Sequence, residues 1–432
     1  MSESLSPSQR ISAIQRKALG MLLLAGVINY IDRATLAVGN PLIRHDLHLS
    51  IADMGYLLSA FLWAYAVGQL PSGALIDRFR PRVLLLAGLS MWSLAQLASG
   101  LVGSFGQFYV ARLFLGAGES PMFPTATRVT RDWFNPRSRG TASGIWNSSA
   151  PLGTAIGVPI LTVLMLAFGW RWMFILMGIL GLLIAVVWYV IYRNPSEVEL
   201  TDREVAYCTE GDPAAGRSSI TFREWRMLFR FRTTWGMIIG YFGCIYMTWV
   251  YLAWLPGYFE IQRHMSVTHT GIAAAIPFLW GIAGSIFGGY LADLLIRRGY
   301  GRLESRKYPA GLALIVTAIF SVAAAYVQSN MLAIACISAA VFMLYVTSTC
   351  SWALSSIAVP ANLTASAGAM QNFGGYLGGA LAPTVTGLIV QATGSFVLAL
   401  LVGAAVSLVS AISYMFVVRS EISAGDLDTA IG

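Results

Sequence analysis

The sequence predicts an all-α membrane protein: twelve transmembrane helices in two pseudo-symmetric six-helix bundles. Three observations predict it. Of the 432 residues, 56% are hydrophobic and only 11% are charged, against about 25% charged in soluble domains. Apolar runs of about 20 residues, enough to cross hydrocarbon as a helix, recur twelve times. One long polar segment divides them six and six.

The runs lie near residues 18–40, 54–76, 83–104, 107–128, 141–166, 170–192, 235–259, 268–295, 308–327, 331–354, 362–391 and 395–419. They are continuously apolar, whereas barrel strands would alternate with a period of two. The polar segment covers 193–233. The expected organisation is a bundle over 1–192, a cytoplasmic linker over 193–233 and a second bundle over 234–432.

Basic residues set the orientation. Arg10, Arg16 and Lys17 precede the first span, and Arg78, Arg80 and Arg82 follow the second. Arg128, Arg131, Arg137 and Arg139 follow the fourth, and Arg297, Arg298, Arg302, Arg306 and Lys307 the eighth. The linker is also rich in arginine. The opposite loops hold only Arg44, Arg171 and Arg263. By the positive-inside rule both termini are cytoplasmic, in a multi-pass protein of the cell membrane. The net charge of +8 therefore belongs to one set of loops and does not imply nucleic acid. The basic lead mimics a signal peptide, but no small-residue cleavage site follows. His45, His48, His264 and His269 fall in or near outer loops, and the four cysteines are scattered. Neither set has metal-ligand spacing, so no metal or cofactor is expected.

The halves echo each other. Gly73-Ala-Leu-Ile-Asp77-Arg78 ends span two, and Gly289-Tyr-Leu-Ala-Asp293 ends span eight. This recurrence marks a duplicated unit. The glycine admits close helix approach, and the aspartate can pair with an arginine or cap a helix end. Gly73, Asp77, Arg78, Gly289 and Asp293 are read as gating or structural residues. Gly153-x-x-x-Gly157, Gly284-x-x-x-Gly288 and Gly375-x-x-x-Gly379 read as close-packing ridges.

Charges inside the runs are the functional signal. A charge in hydrocarbon costs from about 2.5–3.5 kcal/mol upward, yet span one holds Asp32 and Arg33 and span four holds Arg112 and Glu119. On a helix Tyr30 and Arg33 share a face, and Asp32 points about 100° away. Arg112 and Glu119 are seven apart, or roughly 10 Å along the axis. A network of Asp32, Arg112 and Glu119 across helices is the more economical arrangement, since such a cluster can gain or lose a proton at modest cost. A static neutralising cluster joining spans one and four is the structural alternative. Gly116, Gly118, Pro121 and Pro124 are expected to break or thin span four around Glu119 and favour irregular backbone lining a cavity.

The twelve spans, the six-plus-six split and the Gly-x-x-x-Asp-Arg motif resemble the major facilitator superfamily. The family motif usually has a glycine two residues after the arginine, where this chain has Arg80. Asn29-Tyr30-Ile31-Asp32-Arg33-Ala34-Thr35-Leu36-Ala37, Gln69-Leu70-Pro71-Ser72-Gly73, Gly116-Ala-Gly-Glu119-Ser-Pro121-Met-Phe-Pro124 and Gln371-Asn372-Phe373-Gly374-Gly375 resemble its anion:cation symporter branch. Within that branch the chain is most similar to bacterial galactonate, glucarate/galactarate and hexuronate permeases. Vesicular glutamate transporters and sialin are more distant relatives.

The resemblance implies a proton-coupled symporter that imports an organic anion, a sugar acid first, by alternating access. It implies that Asp32 and Glu119 bind protons beside Arg112, and that Arg33 engages the substrate carboxylate. A sugar acid also needs groups for its hydroxyls. Tyr30 and Tyr65 in the first half, and Thr349, Ser351, Trp352, Gln371 and Asn372 in the second, are the candidates. Where the galactonate permease has a glutamine in span five this chain has Ala150, so Asn147 or Ser149 is left to supply a hydroxyl contact. Protons are the coupling ion, the lipid bilayer is the surrounding partner, and a monomer is expected. Another carboxylate, such as tartrate or an aromatic acid, is the alternative substrate. A drug/proton antiporter would need no substrate arginine, and an enzyme or receptor would need a catalytic set or soluble domain that the sequence lacks.

Overall fold

The computed structural model describes residues 7–135, 138–209, 226–360 and 363–423, with the backbone alone for residues 70, 73, 74, 77, 78, 139, 140, 209 and 365. The helices of the first half are α1 (Gln9–Leu47), α2 (Ile51–Ser99), α3 (Phe105–Glu119), α4 (Met122–Trp133), α5 (Arg139–Asn147) and α6 (Ser149–Ile191). A short α7 (Asp202–Thr209) lies in the linker. The second half comprises α8 (Arg232–Gly257), α9 (Val267–Arg297), α10 (Glu304–Tyr326), α11 (Asn330–Ser355), α12 (Thr364–Thr393) and α13 (Val397–Ile412).

Among the described residues, ten helical stretches are long and apolar enough to cross a membrane. One of them, Thr141–Ile191, has 51 residues and would be about 75 Å long if straight, more than twice the hydrocarbon thickness. It breaks at Gly169 (φ 82, ψ 163) into two crossings. The remaining crossing is α3 with α4, interrupted only at Ser120–Pro121. The total is the twelve that the sequence predicts.

The chain divides into two compact units. The first takes Met1–Thr35 and Ala60–Arg217, and the second takes Leu36–Ser59 and Ser218–Gly432. In each, apolar side chains on the outer helix faces stay open. Val186 and Val190 on α6, Ile286 on α9 and Ile319 on α10 are examples. A helix that meets lipid needs that pattern.

Small residues set the helix contacts. A methyl group on Gly153 would come within 2.6 Å of the Val27 carbonyl oxygen, so α6 lies close against α1. In the second unit Gly375 and Gly379 of α12 face Tyr241, Ile245 and Trp249 of α8. Gly284 and Gly288 of α9 face Phe342 and Val346 of α11. The ridges read from the sequence are therefore helix-contact surfaces.

The repeat extends to the turns. His48 and His264 both have φ 52, the left-handed conformation that ends a helix. Two residues later, Ser50 starts α2 by bonding Asp53 reciprocally, and Ser266 caps α9 by accepting from His269 N. These loop histidines thus serve backbone turns. Arg171 donates to the carbonyls of Gly100 and Val102, and Arg263 to those of Ala324 and Val327. Both arginines satisfy carbonyls where another helix ends.

Arg82 clips the linker by donating to Glu197 Oε1 at 3.1 Å. Burial alone would raise the Glu197 carboxyl, but the Asn194 N–H and the Arg82 guanidinium outweigh it and hold it below the usual range. The clip is therefore intact at neutral pH and weakens as pH falls through that lowered value.

Arg80 adopts φ 61, ψ 156 at the break in α2. That region is essentially glycine-only and costs a side-chain residue about 1–3 kcal/mol. Glycine is what the family motif usually carries there. Arg80 Nη1 donates to Ser196 Oγ at 2.6 Å, which partly offsets the strain. Arg80→Gly should be more stable than Arg80→Ala by about 1–2 kcal/mol, because both lose the Ser196 bond and only glycine relieves the backbone. Thermal unfolding of the two purified variants checks this.

Candidate functional site

Four charged side chains are buried together in the first unit. Asp32 and Arg33 come from α1, and Arg112 and Glu119 from α3. Two carboxylates and two guanidiniums make the set neutral when all are ionised. Burying one such ion costs several kcal/mol even after relaxation, so the four are tolerated as a balanced whole.

Arg33 Nε donates to Glu119 Oε2 at 2.8 Å, with the two side chains 2% and 0% exposed. Three rings enclose the guanidinium. Its Cζ lies 4.6 Å from the Tyr30 centroid, 4.8 Å from Tyr65 and 5.1 Å from Phe61. Desolvated contacts of this type are worth about 2 kcal/mol. Phe61 and Tyr65 are four apart on α2 and so share a face. A methyl group on Gly116 would strike the Phe61 carbonyl oxygen. That close approach of α2 and α3 brings Glu119, three residues further on, to the ring cage.

Arg112 is held separately. Its Nη2 donates to Gln96 Oε1 at 3.1 Å and Ser99 Oγ at 3.4 Å. Gln96 Nε2 donates to Thr35 Oγ1 at 3.0 Å, and Thr35 Oγ1 donates to the Asp32 carbonyl at 2.7 Å. A polar chain thus runs from α3 through α2 to α1. Asp32 is fully buried, with Glu119 and Arg112 as its charged neighbours and the Trp92 indole as its neighbouring donor. Neither Asp32 oxygen makes a hydrogen bond of normal geometry. Glu119 Oε1 is in the same position, with the Asn29 amide beside Glu119.

Glu119 bonds Arg33 directly, while Asp32, Arg112 and Glu119 act on one another as charged neighbours. Arg112 sits two turns away along α3, and the Gln96–Ser99 pair occupies its guanidinium. The α3 backbone is helical through Glu119 and breaks directly after it, at Ser120–Pro121. Pro121 has no N–H, so the Ala117 carbonyl loses its helical donor, and Ser120 Oγ replaces it at 2.8 Å. Pro124 lies in the first turn of α4, where proline is tolerated. Gly116 and Gly118 serve helix contact.

The second unit presents its candidates differently. Trp352 is 46% exposed and meets Tyr241 edge to face at 6.0 Å. Thr349 Oγ1 lies 3.0 Å from Ser285 Oγ, joining α11 to α9. Ser351 is buried, accepts from Tyr414 at 2.7 Å and donates to the Thr347 carbonyl. Its hydroxyl is committed to the bundle. Gln371 is buried, and neither of its amide atoms has a hydrogen-bond partner. Asn372, next along α12, is half-buried. In span five, Ser149 is buried against Gly26, and Asn147 is exposed. Gly289 lies 4.0 Å, as a methyl would, from Thr349 Cγ2, and Asp293 is exposed. Gly73, Asp77 and Arg78 continue the α2 backbone, and their side chains lie outside the described residues.

A profile of the Major Facilitator Superfamily matches residues 22–383. The chain belongs to the major facilitator superfamily. It is a multi-pass membrane transporter and not an enzyme. It is 43% identical over 416 residues to a protein of Escherichia coli K12 described as "Probable L-galactonate transporter", covering 96% of this chain and 92% of that one. It is 32% identical over 433 residues to a "Probable galactarate/D-glucarate transporter" of Bacillus subtilis 168, covering 96% and 94%. Among solved structures, a bacterial homologue of the human lysosomal transporter Spinster, inward-facing and occupied, superposes with a TM-score of 0.77 at 18% identity. That match covers 94% of this chain and 97% of the other, and it shows a shared fold.

In this major facilitator chain, sequence reasoning missed Phe61, Gln96, Ser99, Thr35 and Trp92. Spacing offered a signal for some of them. Phe61 and Tyr65 are four apart, and Gln96 and Ser99 three apart in an otherwise apolar run, each pair on one helix face.

Gln96→Leu should destabilise the protein by about 1.5–3 kcal/mol, the usual loss for a hydrogen bond to a charged group. Ser99→Ala, which removes only the longer 3.4 Å contact, should cost less. Melting temperatures of the two variants in detergent test that order.

Proposed function

We propose that this protein is a proton-coupled symporter that imports a sugar acid, a hexonate such as galactonate first, across the bacterial inner membrane. The observation that carries the reading is the buried Arg33–Glu119 bond inside the cage of Tyr30, Phe61 and Tyr65. A guanidinium suits a carboxylate ligand, and here it is already held by one. The names of the relatives at 43% and 32% identity support a sugar acid as that ligand.

Charge balance couples the two ligands. The cluster of Asp32, Arg33, Arg112 and Glu119 is neutral without substrate. A substrate carboxylate adds one negative charge, and a proton on Glu119 removes one while releasing Arg33 to the substrate. One proton per monoanion therefore keeps the loaded cluster neutral. Asp32, buried without a hydrogen bond, is the second acid that can take a proton. Tyr30 and Tyr65 border the carboxylate site. Trp352, Gln371 and Asn372 of the second unit are the candidates for hydroxyl recognition. Alternating access with both termini cytoplasmic follows from the family fold and the basic loops.

Because Glu119 must be protonated before Arg33 is released, substrate affinity should rise as external pH falls. In proteoliposomes with an alkaline interior, the wild type should accumulate galactonate and alkalinise the external medium. Glu119→Gln should lose gradient-driven accumulation at least tenfold yet retain galactonate exchange. Accumulation that survives this substitution would overturn the coupling role. Arg33→Lys should weaken galactonate binding by roughly 10–100-fold, since an ammonium cannot match the planar fork held by three rings. Ligand-induced thermal stabilisation with galactonate, galactarate and a hexuronate measures this and ranks the substrates.

A further inference from the structure

A cavity of about 310 Å³ opens between the first turns of α1 and the end of α6. Its size is at the lower end of the roughly 300–1,000 Å³ of ligand pockets. Arg10, Lys17 and Arg193 line it, together with apolar Ile14, Ile191 and Val198, and among the described residues no carboxylate does. Arg10 Nη1 donates to the Glu199 carbonyl at 2.9 Å. Arg193 Nη1 donates to the Tyr189 and Tyr192 carbonyls at 3.0 and 3.1 Å. These neutral acceptors orient the guanidiniums without cancelling their charge. Two neighbouring acids are engaged elsewhere: Glu197 pairs with Arg82, and Glu204, which feels the Arg10 charge, accepts from Ser8.

The helix whose end lines the cavity also exposes apolar side chains. Leu183, Val186 and Val190 on the outer face of α6 are 58%, 59% and 60% exposed, and the helix ends at Ile191, inside the cavity wall. A soluble anion would need only the cations. A lipid needs cations for its headgroup and an apolar path for its chains, and both meet here. We infer that this groove binds an anionic phospholipid, with the phosphate at Arg10, Lys17 and Arg193 and the acyl chains along α6. Basic pockets at the ends of transmembrane helices take anionic headgroups by this chemistry. The inference stands apart from the choice of transported substrate.

Native mass spectrometry of the full-length protein with phosphatidylglycerol, or with phosphatidylcholine of the same chains, tests it. The wild type should hold phosphatidylglycerol in preference to phosphatidylcholine. The triple variant Arg10→Gln, Lys17→Gln, Arg193→Gln should bind phosphatidylglycerol on the order of a hundredfold more weakly, several-fold for each cation removed. Arg10→Lys with Arg193→Lys should stay within a few-fold of wild type, which separates lost charge from misfolding. Arg297→Gln with Arg298→Gln, in a different basic loop, should leave binding unchanged. Unaltered binding by the triple variant, or equal binding of phosphatidylcholine, would overturn the proposal. Displacement of the lipid by equimolar inorganic phosphate would do so too, by making the groove a site for free phosphate.

Discussion

The structure of the first unit depends on one constraint: charge buried in a low-dielectric interior must be balanced. Asp32, Arg33, Arg112 and Glu119 satisfy it as a set. Each guanidinium keeps a defined set of partners, Arg33 a carboxylate and three rings, Arg112 an amide, a hydroxyl and two rings. Both Asp32 oxygens and one Glu119 oxygen make no hydrogen bond of normal geometry, with the Trp92 indole and the Asn29 amide as neighbouring donors. Arg112 Nε is in the same position.

Much of the remaining architecture serves to bring these groups together. Gly116 lets α2 and α3 approach, which sets Phe61 and Tyr65 around Arg33. Ser120 repairs the helix where Pro121 interrupts it, so that Glu119 ends α3 on an ordered backbone. In the second unit, by contrast, the buried lysine, Lys307, is spent on the Val418 carbonyl near the chain's last helical turn. Its ammonium satisfies a carbonyl at a helix end rather than a carboxylate.

Most of this fold was legible in the sequence because apolar length and continuity are direct records of burial in a membrane. Two crossings were less plain in the helix boundaries than in the sequence, since Gly169 joins spans five and six almost without a loop. The charged members of the site were legible for the same reason: a charge within an apolar run is conspicuous. Their partners were not. Whether Glu119 meets Arg33 or Arg112 depends on how α1 and α3 rotate about their axes and on how near Gly116 allows α2 to come. Neither quantity is written in one helix alone. Gln96, Ser99 and Thr35 escaped notice because polar uncharged residues are common in transmembrane helices and announce nothing individually. Ser351 is the converse case, a hydroxyl in a suggestive segment that bonds Tyr414 and the Thr347 carbonyl.

The confinement of the buried ion cluster to one unit has an evolutionary consequence. Replacing Gln371 or Asn372 by another neutral polar residue leaves the ion balance of the first unit untouched. Replacing any of the four ions by a neutral residue does not, because each such substitution strands a counter-charge. Selection can therefore vary these polar residues of the second unit by single steps, while neutralising one member of the ion cluster calls for a compensating change. Divergence in one unit and persistence in the other then need no separate explanations.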